Sequence, residues 1–216
     1  HSLRRRQRQM CIRDSSLHNK NLVYACSCSR KQIKAIGGIY QGHCKNLHQD
    51  ITHSALRLSQ SFATNQFNDL IQGDINVNNA FAAEDYIIKR SDGLFAYQLV
   101  VVIDDIDQGI TRIVRGADLI EPTVRQISLF KQLNRQVPQF AHLPLAVAKP
   151  GFKLSKQNYA PAICKQNPKP VLIDVFAFLG LAVHSQLMDL NIEQLLAWGV
   201  NNFSLNQVPN LAEIQI

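Results

Sequence analysis

Three of the five cysteines lie within nineteen residues, and this cluster constrains the fold more than any other feature of the sequence. Cys26 and Cys28 are separated by one residue, and Cys44 follows sixteen positions after Cys28. Thiolates that meet in space can share one metal ion, and these soft ligands select zinc over hard cations. Because so short a loop has little core of its own, the zinc would be structural and would drive folding of the loop.

A tetrahedral zinc site needs a fourth ligand besides the three thiolates. Tyr40, His43 and His48 all lie close enough in the sequence to supply it. The adjacent Gly37 and Gly38 tolerate positive φ, so the chain can reverse its direction between the cysteines. The alternative is that the cysteines pack as small apolar side chains, but their clustering favours a metal site.

The composition is that of a water-soluble globular protein in a reducing compartment. Hydrophobic residues make up 46% of the 216 residues, and the mean hydropathy is −0.10. No apolar run approaches the length of about eighteen residues that a membrane span needs, so we expect no membrane association. An odd number of clustered cysteines argues against a disulfide framework. We therefore expect a cytoplasmic protein.

The positive charge is concentrated at the start of the chain. The formal net charge is +7, from 23 basic and 16 acidic residues. Residues 1–14 hold five arginines and one aspartate, which leaves 18 basic against 15 acidic residues, or +3, for the rest. This arginine-rich stretch could be a basic arm for nucleic acid, or a tail unrelated to the fold. We favour the tail.

The pattern of apolar residues predicts an α/β domain followed by helices. Residues 99–103 are dominated by β-branched side chains, which favour a buried strand. Thr123 is a typical N-cap for a predicted helix over residues 124–133. Further strands are predicted at 54–58, 85–90, 111–116 and within 138–147, and further helices begin near Lys169 and Asn191. This order of elements is typical of a nucleotide-binding α/β domain.

One loop suggests a family. Residues 153–156, Lys-Leu-Ser-Lys, resemble the lysine-bearing signature loop of the class I aminoacyl-tRNA synthetases. The order of the preceding motifs is similar to that of the glutamyl-tRNA synthetase group over about residues 15–216. Those motifs are Asp92-Gly93, Tyr97, Asp104-Asp105, Arg115-Gly116 and His142-Leu143-Pro144.

Within that group, three features resemble a shortened branch, the glutamyl-queuosine tRNA(Asp) synthetases. The cysteine pattern, with Gly-Gly-Ile-Tyr at residues 37–40, is similar to the zinc site of the branch, in which a tyrosine is the fourth ligand. The resemblance thus implies Tyr40 rather than His43, and it implies a helix rather than a strand around residues 99–105. The signature loop continues with Gln157 and Asn158, and only 60 residues follow Lys156 (216 minus 156), too few for a large anticodon-binding domain.

The resemblance implies a specific activity. Enzymes of this branch activate L-glutamate with ATP and Mg²⁺ and transfer it to the queuosine base at the wobble position of tRNA(Asp), not to the 3′ end. The expected partners are therefore queuosine-bearing tRNA(Asp), L-glutamate and ATP, and we expect a monomer.

The two loop lysines are the catalytic residues that the resemblance implies. Lys156 would bind the ATP phosphates and Lys153 would assist, since an ammonium group can neutralise charge that builds on the departing pyrophosphate. The alternative is a pair of solvated surface lysines. His142, which precedes an apolar run, is either close to the nucleotide or a structural histidine.

Two further residues correspond to glutamate-binding positions of the family. Arg115 can bind a carboxylate through two parallel hydrogen bonds, and Tyr97 offers a hydroxyl group beside an apolar ring. The alternative for Tyr97 is core packing. Arg115 could instead pair with one of three aspartates, namely Asp104, Asp105 and Asp118.

The implied fold is the C-terminal half of a Rossmann-type class I catalytic domain, with a zinc-bearing insertion and a helical tail. We predict an arginine-rich tail outside the family at 1–14 and the zinc-bearing insertion at 15–95. The second half of the nucleotide-binding domain follows at 96–150. The signature loop and a helical stem-contact region make up 151–216.

The start of the family pattern is missing from the sequence. Members of the family begin with a strand, an H-x-G-H-type signature and a helix whose N-terminus meets ATP, whereas the resemblance here starts near Leu17. Half of a parallel sheet leaves an unpaired edge and an uncovered face. We therefore expect low stability and impaired glutamate activation. The alternatives are a truncated glutamyl-tRNA synthetase and a non-catalytic zinc-containing tRNA-binding module.

Overall fold

The structure, a computed structural model, describes Leu17 and residues 22–52, 54–155 and 158–216. The described strands are β1 Val23–Cys26, β2 Ala55–Leu58, β3 Gln66–Asp69, β4 Gly73–Asn76, β5 Ile87–Lys89, β6 Arg112–Gly116, β7 Gln139–Leu143, β8 Leu145–Lys149, β9 Phe152–Lys153 and β10 Glu213–Gln215. The described α-helices are α1 Arg30–Ala35, α2 Asn79–Ala83, α3 Tyr97–Gln108, α4 Ile120–Gln132, α5 Pro168–Phe178 and α6 Ile192–Asn202. No described helix is both long and apolar enough to cross a bilayer.

The chain divides into two compact units. The first comprises the described residues up to Phe67 together with 76–111 and 121–138, and the second comprises 68–75, 112–120 and the described residues from Gln139 onward. The two units interleave along the sequence, whereas the predicted domains were consecutive segments. The predicted boundaries near residues 95 and 150 stay predictions.

The first unit is built on an antiparallel sheet in the order β1-β2-β5. Strand β1 pairs with β2 in a register that sets Val23 opposite Leu58 and Cys26 opposite Ala55. Helices α3 and α4 contribute most of the remaining core around this sheet. The buried apolar residues of this core include Leu56, Leu58, Ile88, Leu99, Val102, Ile103, Leu129 and Phe130.

The strand prediction for residues 99–103 is wrong, because this segment lies inside helix α3. The three buried side chains are Leu99, Val102 and Ile103, a spacing of three and four residues that places them on one helix face. Gly109 ends the helix in the left-handed conformation, with φ of 65°. Burial of one helical face thus outweighs the β preference of the valines.

The N-cap prediction for Thr123 is also wrong. Helix α4 already runs from Ile120, directly after a short 3₁₀ turn at Ala117–Leu119, and Thr123 lies fully buried inside it. The helix itself, the strands near 54–58, 87–89, 112–116 and 139–143, and the two late helices are confirmed.

The second unit contains a sheet in the order β4-β3-β7-β6. Strand β7 runs parallel to both β3 and β6, with Asp69 opposite Phe140 and Arg115 opposite His142. A second sheet has the order β10-β8-β9. Helices α5 and α6 pack together through a small core that includes Phe176, Leu187 and Leu195.

Candidate metal centre and candidate active-site residues

The three clustered cysteines meet in the first unit. Cys26 ends β1, Cys28 follows in the loop, and Cys44 returns from the next loop, so that all three Sγ atoms lie within 4.8 Å of one another. The Sγ atoms of Cys28 and Cys44 are 3.5 Å apart. Among the described residues, these cysteines form the only group of three or more histidine, cysteine or acidic side chains placed to hold a metal ion.

Local structure brings the loop back to β1. Helix α1 begins with a reciprocal capping box between Ser29 and Gln32. It is followed by Gly37 and Gly38, whose φ values of 101° and 83° turn the chain in a way that residues with a Cβ rarely adopt. The turn delivers Tyr40 to the cysteines. The predicted role of the glycine pair is therefore confirmed.

Tyr40 lies against the cysteines, whereas the two histidines do not join the cluster. Tyr40 is only 3% exposed, and its hydroxyl oxygen accepts a hydrogen bond from the backbone N–H of Cys44 at 2.7 Å. The side chains of His43 and His48 are both exposed. The assignment of Tyr40 as a metal ligand stays a prediction, and its position is compatible with that role.

The ionisation of the cluster is uneven. Burial alone would raise the pKa of Cys44, but hydrogen bonds from the Ser27 backbone, from Cys28 and from Tyr40 outweigh it and lower that pKa to about 7. Burial is the main cause that raises the pKa of the Cys28 thiol to about 12. Burial also raises the pKa of the Tyr40 hydroxyl to about 12. A metal ion would therefore have to displace protons from Cys28 and Tyr40.

The donor set fits zinc. Tetrahedral geometry at a Zn–S distance of about 2.3 Å places sulfur atoms about 3.8 Å apart. The 3.5 Å between Cys28 and Cys44 and the 4.8 Å limit for the whole cluster bracket this value. The described cysteines form no disulfide that would compete for the sulfurs.

A buried arginine adjoins the cysteines. Arg57, in β2, is 2% exposed, and its Nε donates to the Sγ of Cys26 at 3.2 Å. Its guanidinium carbon lies 3.7 Å from the centroid of the Tyr40 ring. One terminal nitrogen donates to the backbone oxygen of Asp85 at 2.5 Å and lies 3.6 Å from a carboxylate oxygen of Glu84. The arginine therefore links the cysteine cluster to two acidic residues.

Glu84 and Asp85 anchor the rest of this region. Glu84 accepts a hydrogen bond from the Tyr40 backbone N–H at 3.1 Å, and its other carboxylate oxygen pairs with Arg125 at 2.5 Å. Asp85 accepts hydrogen bonds from the hydroxyl of Tyr24 at 2.7 Å and from other donors. Both acidic residues line a cavity of about 370 Å³ beside the cysteine loop, together with Tyr40.

A buried polar network surrounds Arg115 in the second unit. The side chains of Asp69 and His142 are both fully buried, and His142 Nδ1 lies 2.6 Å from Asp69 Oδ2. Arg115 donates from Nε to His142 Nε2 at 3.0 Å. Asp69 Oδ1 accepts backbone hydrogen bonds from Ile71, Gln72 and His142.

These contacts assign the tautomer of His142. Because Arg115 is always a donor, Nε2 of His142 must accept and therefore carries no proton. The proton then sits on Nδ1 and is donated to Asp69, which makes His142 a neutral link between a carboxylate and a guanidinium. Of the two predictions for His142, the structure supports the structural role.

The signature loop is only partly described. Lys153 Nζ lies 2.5 Å from the carboxylate of Asp118, and the backbone oxygen of Lys153 accepts a hydrogen bond from the Asn158 side chain at 2.8 Å. Lys153 lines a cavity of about 400 Å³ together with Asp118 and Glu213. Lys156, the other predicted catalytic lysine, lies outside the described residues.

The predicted glutamate-binding residues belong to different units. Tyr97 is the first residue of α3 in the first unit and is 53% exposed, so the alternative of core packing does not hold. Arg115 belongs to β6 in the second unit. Their joint role as a glutamate site stays a prediction.

Sequence reasoning missed Arg57 and Asp69. Arg57 stands between two leucines in a strand, and an arginine in an apolar strand is a signal that a buried anionic partner exists. Asp69 ends β3, and its partner His142 is 73 residues away, so no local pattern indicates the pairing.

A family comparison places this chain among the class I aminoacyl-tRNA synthetases. Residues 15–185 match the family described as tRNA synthetases class I (E and Q), catalytic domain. The chain belongs to that family. The recognition made from the sequence motifs and the predicted α/β fold class are thereby confirmed.

Curated relatives are called Glutamyl-Q tRNA(Asp) synthetase. The protein from an Escherichia coli strain is 51% identical over 91% of this chain, and that of Citrobacter koseri is 48% identical over 96% of it. The chain spans 64% of the length of the first and 70% of the second. The protein from Colwellia psychrerythraea is 48% identical over 94% of this chain and 66% of its own length.

Solved structures show the same fold. A glutamate tRNA ligase from Elizabethkingia meningosepticum, solved in complex with its amino acid, superposes with a TM-score of 0.71 over 98% of this chain and 50% of its own. A glutamate-tRNA synthetase from Elizabethkingia anophelis gives a TM-score of 0.68. Both are 17% identical to this chain, so they support the fold alone.

Proposed function

We propose that this chain is the part of a glutamyl-queuosine tRNA(Asp) synthetase that binds glutamate and carries the lysine-bearing signature loop. The whole enzyme would activate L-glutamate with ATP and Mg²⁺ and transfer it to the queuosine base at the wobble position of tRNA(Asp). The observation that carries the proposal is the identity of 48–51% with proteins of that name over 91–96% of the chain.

Arg115 is the proposed partner of a glutamate carboxylate. A guanidinium group binds a carboxylate best when its plane is fixed, because both parallel hydrogen bonds must align at once. The buried Asp69–His142 pair holds the Nε edge of Arg115, and the ring of Phe140 lies 5.2 Å from the guanidinium carbon. This support would lower the cost of ordering the arginine when glutamate binds.

Tyr97, Lys153 and Lys156 keep their proposed roles. The hydroxyl group of Tyr97, a residue that is 53% exposed, would offer a polar contact to glutamate. Lys153 and Lys156 would follow the ATP phosphates as point charges while the pyrophosphate departs. Lys153 would have to leave Asp118 to do so, because its Nζ is hydrogen bonded there.

We also propose a structural zinc ion held by Cys26, Cys28, Tyr40 and Cys44. The support is the mutual distance of the three sulfurs and the burial of Tyr40 against them. When bound, the ion would cross-link a loop that has few apolar contacts of its own. A cytoplasmic location and a monomeric state complete the proposal.

The proposal is tested by transfer of radiolabelled glutamate to tRNA(Asp). The protein is a fusion of this chain with the part of the E. coli relative that the match leaves uncovered. We expect label on tRNA(Asp) that contains queuosine and none on tRNA(Asp) that lacks it. Label on tRNA(Glu), or equal label on both forms of tRNA(Asp), would instead support an ordinary glutamyl-tRNA synthetase.

A matched pair of variants tests the role of Arg115. Arg115→Lys should raise the KM for glutamate strongly, because lysine cannot form the paired hydrogen bonds. Arg112→Lys, an exposed arginine on the same strand that bonds only to Gln139 in the contacts described, should change it little. Salt-sensitive tRNA binding with no transfer at all would favour the non-catalytic RNA-binding module.

A further inference from the structure

Arg57 touches two of the four proposed zinc ligands. Its Nε donates to the sulfur of Cys26 at 3.2 Å, and its guanidinium group lies over the Tyr40 ring at 3.7 Å. The side chain is only 3% exposed, so both contacts are shielded from water. A charged group in such a position is rarely accidental, because burial of an uncompensated charge is costly.

The charge of the occupied site would require such a cation. Three thiolates and one phenolate carry four negative charges, and a zinc dication leaves a net charge of about −2 by this count. Cys26, Tyr40 and Cys44 are all 3% exposed or less, so water can neutralise little of it. Coulombic attraction to a guanidinium in direct contact is strong in such a medium.

The guanidinium group is held in place from its other side. The backbone oxygen of Asp85 accepts from one terminal nitrogen at 2.5 Å, and the Glu84 carboxylate lies 3.6 Å from the same nitrogen. Glu84 is itself fixed by Arg125 and by the Tyr40 backbone. The arginine therefore cannot easily swing away from Cys26.

We propose that Arg57 is a positioning residue of the metal site: it orients the Cys26 sulfur and the Tyr40 ring for zinc and compensates the negative charge of the ligand set. Outer hydrogen-bond partners of metal ligands commonly change metal affinity by about 10- to 100-fold. This inference rests on the zinc part of the proposed function. It is independent of the activity of the enzyme.

A purely structural role for Arg57 is the competing explanation. The arginine could tie β2 to Glu84 and Asp85 and leave the metal unaffected. In that case, its replacement would lower the stability of the protein with and without metal equally. A role at the metal site instead predicts a change in metal affinity and in the spectrum of a bound metal.

The test uses the purified 216-residue chain with Arg57→Met, Arg57→Lys and Lys45→Met. Methionine keeps much of the length of arginine and removes the charge. Lysine keeps the charge but cannot donate hydrogen bonds to the Cys26 sulfur and the Asp85 backbone oxygen in the geometry of a guanidinium group. Lys45→Met is the matched control, because Lys45 pairs with the Asp85 carboxylate at 3.2 Å, yet its side chain is 44% exposed and makes no described contact with the cysteine sulfurs.

Zinc affinity is measured by competition with a chromophoric chelator, and cobalt(II) is used as the spectroscopic probe. We expect Arg57→Met to bind zinc about 10- to 100-fold more weakly and to show shifted thiolate-to-cobalt bands. Arg57→Lys should lie between it and the parent chain, and Lys45→Met should match the parent chain. Circular dichroism of each variant checks the fold.

Three results would overturn the inference. One is zinc affinity and a cobalt spectrum in both Arg57 variants that equal those of the parent chain. Another is an equal loss of zinc affinity in Lys45→Met, which would show that any nearby positive charge has the same effect. If Arg57→Met does not fold, the decision rests on Arg57→Lys. The third is a parent chain that itself binds no zinc. That result refutes the proposed zinc site and this inference together, whereas the first two refute the role of Arg57 alone.

Discussion

Replacement of Asp69 by asparagine should destabilise the second unit by setting two hydrogen-bond donors against each other. The amide can keep the Oδ1 position, which accepts from Ile71, Gln72 and the His142 backbone. Its NH₂ group must then face Nδ1 of His142, which already carries a proton. If the imidazole changes tautomer to accept there, its Nε2–H faces the Nε–H of Arg115 instead.

The magnitude follows from these contacts. The carboxylate at 2.6 Å from His142 is a charge-assisted hydrogen bond with both side chains fully buried, which contributes about 2 kcal/mol. The donor conflict leaves one buried N–H unsatisfied and costs about 1–3 kcal/mol more. We therefore expect Asp69→Asn to lower the free energy of unfolding by about 3–5 kcal/mol.

Urea unfolding followed by tryptophan fluorescence measures this loss. Trp198 is the single tryptophan of the chain and belongs to the same unit as Asp69, so its signal reports on that unit. Asp74→Asn is the control, since Asp74 is exposed and accepts from Asn68 at 2.9 Å. A loss below about 1 kcal/mol in Asp69→Asn, or an equal loss in the control, would refute the assigned tautomer and network.

Two further perturbations probe the second unit. Burial alone would raise the pKa of Asp69, but hydrogen bonds from His142 and from backbone N–H groups hold that pKa below its ordinary value. The ionised carboxylate therefore stabilises the fold fully above about pH 4, and this stabilisation is lost as the pH falls through the lowered pKa. Acid titration of the fluorescence of Trp198 should therefore show a transition below about pH 4 that is weaker in Asp69→Asn, and identical curves would contradict the linkage. Gly199→Ala should destabilise by about 1 kcal/mol, because a Cβ there would lie 2.5 Å from the Phe176 ring, and overpacking outweighs the better helix propensity. The midpoint of urea unfolding, followed by circular dichroism, measures this destabilisation. Adding Phe176→Leu to Gly199→Ala should relieve the clash, and a Gly199→Ala variant that is more stable than the parent chain would disprove the prediction.

Local patterns were sufficient to predict the cysteine cluster. Cys26, Cys28 and Cys44 could be grouped from their spacing, because a short loop with a glycine turn leaves few ways to arrange three thiols. Helix α6 was equally accessible, since Asn191 and Gln194 form a capping box that can be read directly from the sequence.

Tertiary burial explains the errors. The valines of α3 favour a strand by propensity, but the residues that are buried follow a helical period, with Leu99 and Ile103 at 0% exposure. Thr123 has the chemistry of an N-cap, yet the helix had already begun at Ile120. In both cases, packing against the rest of the unit decided between two locally acceptable structures.

Long-range polar pairing was beyond sequence reasoning. Asp69 and His142 are 73 residues apart, and Arg57 and Cys26 are 31 residues apart. Such pairs depend on sheet register, which no single-sequence pattern fixes. The family motifs drew attention to Arg115 but gave no indication of what holds it.

The central claim is most directly tested by locating the glutamyl group on the RNA. After the reaction of the fusion protein with queuosine-containing tRNA(Asp), ribonuclease T1 fragments are analysed by mass spectrometry. The proposed function predicts that the added mass of one glutamyl group appears on the anticodon fragment that carries queuosine. Added mass on the 3′-terminal fragment, or on no fragment, would contradict it.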